Sequence, residues 1–123
     1  MLRKSLVFVS LVGVVAAIAT SAFGQRTTTP TLKGTTGPGF TITLKRNGKL
    51  VKTLKRGTYK FVITDKSRIH AFSLDGPHGF AKDFTKIPFV GKKTLTVKLK
   101  KGTYTYQCDP HAASGLKGTF KVT

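Results

Sequence analysis

Apolar and polar residues alternate with a period of two over most of the chain after residue 39. In residues 40–44, the side chains of Phe40, Ile42 and Leu44 fall on one face of an extended segment. The alternation recurs at 58–64, 68–74, 93–99, 103–108 and 117–122. This pattern is typical of β-strands with one buried face. Residues 80–90 are ambiguous, and the rest of this region has no convincing helical period, so we expect an all-β domain.

Turn residues separate the predicted strands. Asn47-Gly48 is the strongest short-range signal for a β-hairpin. Residues 25–38 are rich in Thr, Gly and Pro and have little to bury, so we expect a flexible lead that could tighten into a first strand at 31–35. Several short strands at this spacing indicate a β-sandwich or barrel, here covering residues 39–123.

The first 24 residues have a different pattern. Arg3 and Lys4 precede an uncharged apolar run over residues 6–19, and small residues follow at 17–19 and 22–24. This order is typical of a secretory signal peptide, with cleavage expected between residues 19 and 24. A permanent membrane span needs about 20 apolar residues, so the run is short for one. We therefore expect export to a periplasmic, extracellular or cell-envelope location.

The charge of the remaining chain is strongly positive. It keeps 20 of the 22 Lys and Arg residues and all four acidic residues, a formal net charge of +16, and it has no glutamate. Such a surface associates with polyanions in a salt-dependent way. For an exported protein we expect an acidic partner protein, anionic envelope polymers or an anionic lipid surface, and no specific nucleic acid. For any single lysine, an ordinary solvated strand face is the simpler interpretation.

Cys108 is the only cysteine, so it cannot form an internal disulfide. A lone thiol in an exported domain is buried as a small apolar residue, coupled to a partner, or held as a metal ligand. Asp109-Pro110 end the strand, so the chain turns and can bring His111 back beside the sulfur. His70, on another predicted strand, is the obvious third donor. Two imidazoles and one thiolate suit copper in electron-transfer sites.

Other chemistry is weaker. His78 lies in a glycine-rich loop and is expected to be a solvent-exposed turn residue. The aspartates have no partner acid at a suitable spacing, so hydrolysis lacks a general base and we expect no enzyme activity.

The segment GTYTYQCDPHAASGLKGTF (residues 102–120), together with His70, resembles the cupredoxins, the small blue copper proteins of the plastocyanin, azurin and amicyanin type. The resemblance covers about residues 40–122 and implies a Greek-key β-sandwich that shuttles single electrons between redox partners. It also implies one type 1 copper ion, with His70, Cys108 and His111 as ligands and the edge of His111 as the electron port. We expect a monomer.

Two positions depart from the cupredoxin pattern. Leu116 stands where relatives usually have an axial Met, and Leu has no lone pair to donate, so the carbonyl of Ile69 is the weak axial contact that the resemblance implies. Loss of the thioether predicts a raised reduction potential. Ala71 stands where many relatives have an Asn that ties the two ligand loops together. Other bonds must then fix the loops, and Thr105, Tyr106 and backbone groups are candidates.

Two alternative functions stay open at this stage. One is a carrier or buffer that hands over Cu(I) without cycling, which nothing in the sequence excludes. The other is a metal-free domain of cupredoxin shape whose basic face binds anionic partners, and the Cys/His set argues against it.

Overall fold

The computed structural model describes residues 28–123, which form ten strands in two five-stranded sheets. The strands are β1 (Thr31–Thr36), β2 (Ile42–Arg46), β3 (Lys49–Leu50), β4 (Thr53–Leu54), β5 (Gly57–Asp65), β6 (Phe72–Asp75), β7 (Ala81–Thr85), β8 (Gly91–Leu99), β9 (Gly102–Gln107) and β10 (Lys117–Val122). Sheet A has the order β3-β2-β1-β5-β8, and sheet B has the order β4-β10-β9-β6-β7. The predicted all-β fold is confirmed, whereas the predicted signal peptide, residues 1–24, lies outside the described residues.

The core lies between the two sheets, because the period-two alternation turns one face of each strand inward. In β5, Phe61 and Ile63 are fully buried while Lys60 is exposed. In sheet B, the rings of Tyr104 and Phe120 stack with their centroids 5.3 Å apart. The main apolar core thus lies between the two sheets and holds them together.

Strand β1 lies inside the segment expected as a flexible lead. It pairs antiparallel with β2 and parallel with β5, so it occupies the centre of sheet A. Leu32 is fully buried, and Gly34 packs so closely on Ile63 and Phe72 that a side chain there would collide with both. Residues 31–36 therefore belong to the sandwich. The first strand considered at 31–35 is therefore present as β1, and its glycine allows the close packing.

Two strand starts differ from the predicted ones. Strand β2 begins at Ile42, so Phe40 precedes the strand and its side chain is 54% exposed. Strand β6 begins at Phe72, so His70 lies in the loop before the strand and not within it. Phe40 and His70 thus lie outside the paired strands, and their rings come together at one end of the sandwich.

The remaining connections include the predicted hairpin. Asn47 and Gly48 form the turn between β2 and β3 with φ angles of 50° and 78°, a left-handed conformation that suits Asn-Gly. The ambiguous residues 80–90 contain strand β7. Two short 3-10 turns complete the described part, Pro77–Gly79 and Asp109–Ser114. Within residues 28–123, no helix has the length and hydropathy of a membrane span.

Candidate metal centre

The three side chains predicted to bind a metal converge at one end of the sandwich. The Sγ atom of Cys108 lies 3.3 Å from Nδ1 of His111 and 3.8 Å from Nδ1 of His70, and the two Nδ1 atoms are 3.2 Å apart. Cys108 is fully buried, His70 is 2% exposed and His111 is half-buried. His78, predicted to be a surface residue, is exposed in its turn and takes no part in the group.

The donor set fits one soft cation. The three atoms form a triangle with sides of 3.2, 3.3 and 3.8 Å. These sides are short enough for a single ion to contact all three atoms at about 2.0–2.3 Å, the range of metal–nitrogen and metal–sulfur bonds. One thiolate with two imidazoles is the trigonal set of blue copper sites, because thiolate favours Cu(I) and imidazole serves both oxidation states. The geometry therefore suits copper without rearrangement of the backbone.

The loop after β9 folds His111 back onto the sulfur through its own backbone. The amide of His111 donates to the carbonyl of Cys108 (2.9 Å), and the amide of Leu116 donates to the carbonyl of His111 (3.2 Å). The amide of Cys108 in turn donates to the carbonyl of Leu116 (3.1 Å), which closes the loop. Gly115 ends the 3-10 turn with φ of 92°, a conformation that glycine adopts at no steric cost.

The loop before β6 presents His70 through a chain of short-range hydrogen bonds. The amide of Ser67 donates to the carboxylate of Asp65 (3.1 Å), and the amide of Ile69 donates to Oγ of Ser67 (3.3 Å). The amide of Ala71 donates to Sγ of Cys108 (3.3 Å), so the two loops meet at the sulfur itself. A backbone donor to a ligand atom is an outer-shell contact of the kind that orients metal sites.

A side-chain network ties the loop after β9 to sheet B. It restrains a ligand loop in a chain that has Ala71 in place of the Asn expected from the cupredoxin pattern. The hydroxyl of Ser73 donates to Oδ1 of Asp109 (2.9 Å), and Nε2 of Gln107 donates to the same oxygen (2.9 Å). The other amide hydrogen of Gln107 reaches Oδ2 of Asp75 (3.0 Å). Asp109 is therefore the acceptor through which β6 and β9 hold the residue next to Cys108.

Sequence reasoning named Thr105, Tyr106 and backbone groups as candidates. The backbone bonds are present at both ligand loops, whereas this side-chain network was missed. One signal was available, because residues two apart at the end of a strand share a face, and Gln107 and Asp109 are so spaced around the cysteine. The contribution of Ser73 had no sequence signal, because it lies 36 residues from its partner.

Three of the four acidic residues gather beside this loop, all on the side of sheet B. Burial raises the pKa of Asp75 above its ordinary value, and the neighbouring carboxylates of Asp109 and Asp83 raise it further. The bonds from Gln107 to two of these carboxylates offset part of their repulsion. The few negative charges of a very basic chain are thus concentrated near the metal centre.

Phe40 covers the solvent side of the metal centre. The predicted place of Phe40 in a strand did not suggest this contact. Its ring stands edge-on to both histidines, with centroids 5.6 Å from the ring of His111 and 6.0 Å from that of His70. The side chain of Ile69 is also 62% exposed. The half-buried His111 therefore reaches the surface beside apolar side chains.

The Ser73–Asp109 bond gives a stability prediction. We expect Ser73→Ala and Asp109→Ala each to lower the free energy of unfolding by about 1–2 kcal/mol, because each removes the bond from the Ser73 hydroxyl to a charged acceptor. Asp109→Ala also removes the bond from Gln107 and should have the larger effect. Each should also speed the loss of copper to a chelator, since the ligand loop is less restrained. Urea unfolding and stopped-flow metal release measure the two effects. The double variant should lose less than the sum of the single losses, and strict additivity would contradict a shared bond. Ser114→Ala, an exposed hydroxyl in the same loop, is the control.

Comparison with known proteins agrees with this geometry. A family profile described as copper binding proteins, plastocyanin/azurin family, matches residues 25–123. The chain is similar in fold to rusticyanin from Thiobacillus ferrooxidans, with 23% identity, 76% of each chain covered and a TM-score of 0.51. Reduced rusticyanin gives 20% identity over 76% of this chain and 78% of that one, with a TM-score of 0.53.

A multi-copper oxidase from Pediococcus acidilactici is similar at 16% identity and a TM-score of 0.52, over 77% of this chain and 26% of the oxidase. At these identities the likeness to solved structures concerns the fold. Comparison with curated protein sequences finds no match.

Proposed function

Because this chain belongs to the plastocyanin/azurin family of copper-binding proteins, we propose that it is an exported carrier of single electrons. Its cofactor is one type 1 copper ion, which when bound supplies a one-electron couple between Cu(I) and Cu(II). The proposed ligands are His70, Cys108 and His111. The observation that carries the proposal is their convergence, with all three donor atoms within 4.8 Å of one another.

The protein part of this function is to hold the ligands in one arrangement. The closed Cys108–Leu116 loop, the amide of Ala71 on the sulfur and the Asp109 network restrict the donor atoms from three sides. A rigid donor set lowers the reorganisation that accompanies electron transfer. The exposed edge of His111, next to Phe40, is the proposed port through which electrons enter and leave.

The axial position is proposed to lack a donor side chain. Leu116 is 3% exposed and packs in a small apolar cluster with Ala71 and Cys108. A hydrocarbon there excludes water and donates nothing, so the remaining weak contact is assigned to the carbonyl of Ile69. The absence of an axial donor and the exclusion of water both favour Cu(I). We therefore propose that the reduction potential of this protein is higher than that of relatives with an axial Met.

The proposed partners are redox proteins with an acidic docking surface. The protein is proposed to meet them as a monomer, in the periplasm, the extracellular space or the cell envelope. The excess of 20 basic over four acidic residues in the chain after residue 24 supports this choice. Electrostatic attraction raises association rates and weakens as salt rises. Anionic envelope polymers or lipids are further proposed partners of the same charge.

Adding Cu(II) to the purified apoprotein tests the proposal. One equivalent should produce intense absorption in the red, from thiolate-to-copper charge transfer. A protein that stays colourless would contradict the copper assignment and favour a metal-free binding domain. The rate of electron self-exchange then separates the two copper functions, since a carrier of electrons exchanges rapidly. Sluggish exchange combined with tight Cu(I) binding would favour a copper buffer.

A further inference from the structure

The outer face of sheet A is made almost entirely of lysine and threonine. The outward-facing residues of β1, β2, β5 and β8 are called the Lys/Thr face. They are five lysines, seven threonines and one valine: Thr31, Lys33, Thr35, Thr43, Lys45, Thr58, Lys60, Val62, Thr64, Lys92, Thr94, Thr96 and Lys98. They alternate with inward-facing residues, most of which are buried, so these side chains all point to the same side of the sheet.

Strand register arranges the face in rows across four strands. One row places Thr35 between Thr43 and Thr64. In the next row, Lys33 lies directly opposite Lys45. Like charges directly opposite each other on a sheet destabilise it. This register therefore concentrates positive charge at a cost in stability.

Protection of sheet edges does not explain these lysines. Lysines commonly guard edge strands against pairing with other chains. Lys92 and Lys98 lie on the edge strand β8 and fit that role, but Lys33 and Lys60 lie on β1 and β5, which are internal to the sheet. Edge protection therefore does not account for the lysines on the internal strands.

No acidic side chain offsets this charge on the face. The chain has four acidic residues. Asp65 is 1% exposed on the inner side of sheet A, and Asp75, Asp83 and Asp109 lie on or beside sheet B. The two sides of the sandwich are therefore electrostatically different, because exposed acidic side chains accompany the lysines only on the side of sheet B.

We propose that the Lys/Thr face binds an extended phosphate-bearing polymer of the cell envelope. Lysine and threonine side chains are common donors to phosphate oxygens. A groove over β1 and β2, lined by Lys33, Lys45 and three threonines, offers a path for such a chain. The inference refines the proposed affinity for anionic envelope partners and is independent of the copper ligands.

A lipid surface fits the face less well. Proteins that lie on membranes insert exposed aromatic or large aliphatic side chains next to their cations. Four of the five large exposed apolar side chains, Phe40, Ile69, Ile87 and Val90, lie outside sheet A, and Leu50 is at its edge strand β3. Because the face is the broad side of the sandwich and the metal centre is at one end, a bound polymer leaves Phe40 and His111 accessible.

Binding of the copper-loaded full chain to long-chain inorganic polyphosphate tests the assignment, with neutral dextran as the polymer control. The triple variant Lys33→Gln/Lys45→Gln/Lys60→Gln should bind at least 10-fold more weakly near 0.1 M salt, and the slope of log K against log salt should fall by about 2–3. The matched triple Lys82→Gln/Lys117→Gln/Lys121→Gln removes three exposed charges from sheet B, and we expect less than a threefold loss.

The threonines are tested separately. Thr35→Val/Thr43→Val keeps the β-branched shape and removes two hydroxyls, so we expect about a threefold loss of affinity with an unchanged salt slope. An unchanged visible spectrum establishes that each variant is folded.

Three outcomes would overturn the inference. Equal losses in the two lysine triples would show that net charge alone binds the polymer, while leaving the broader affinity for anions intact. Preferential binding to vesicles with 30% anionic phospholipid, without competition by polyphosphate, would assign the face to lipid. Absence of binding by the parent protein would remove the proposed anionic envelope partner as well, and the copper function would still stand on its spectrum.

Discussion

Replacing Cys108 with serine should remove the intense red absorption of the copper-loaded protein and weaken copper binding by more than about 100-fold. The absorption requires a sulfur-to-copper transition, which a hydroxyl oxygen cannot supply. The loss of affinity should exceed the 10–100-fold caused by changing outer-shell partners alone, because a ligand atom is removed. Titration with Cu(II), followed by visible spectroscopy, measures both effects. The fully buried position of Cys108 between two histidine rings makes it the proposed source of the colour.

The apoprotein of the same variant should remain folded. Serine is smaller than cysteine and can accept the hydrogen bond that the amide of Ala71 donates to Sγ. Ser114→Ala changes an exposed hydroxyl in the same loop and should leave both spectrum and affinity unchanged. Persistence of the red absorption in Cys108→Ser, with this control intact, would show that Cys108 is not the thiolate ligand.

The fold class could be predicted because alternation with period two reports a buried face. Alternation cannot report where a ladder begins, since a loop residue can continue the pattern by chance. Phe40 continues the alternation of Ile42 and Leu44 yet precedes β2, and its ring packs on the histidines. His70 likewise reads as part of a strand, and the structure places it in the loop before β6. In both cases the polypeptide leaves the sheet where the metal centre is built.

The candidate ligands could be predicted because their chemistry is rare in this chain. There is one cysteine, and only three histidines are available to join it. The supporting contacts could not be predicted in the same way, because serine and glutamine occur for many reasons. Ser73 matters only because antiparallel pairing of β6 with β9 brings it opposite Gln107, next to Asp109. That register is a tertiary property, set by the packing of the whole sheet.

Leu116, the proposed axial residue, is both a departure from the cupredoxin sequence pattern and a buried part of the ligand loop. Leu116 belongs to a small buried cluster with Ala71 and Cys108, separate from the main core. Its amide and carbonyl both serve the ligand loop, through bonds with His111 and Cys108. The loop's hydrogen bonds therefore use only the backbone of Leu116. A side chain with or without a donor atom is compatible with them. Leucine and methionine have similar volumes, so exchanging them should cost less than about 1.5 kcal/mol of stability.

Leu116→Met should lower the reduction potential by about 60 mV or more, which for a one-electron couple is at least a tenfold change in the relative stability of the oxidation states. A thioether near the axial position donates electron density, which favours Cu(II), whereas leucine donates none. Redox titration followed by the visible spectrum measures the potential. Leu116→Ile changes the shape of the side chain without adding a donor, and we expect a much smaller shift. An unchanged or higher potential in Leu116→Met would contradict the assignment of Leu116 to the axial position.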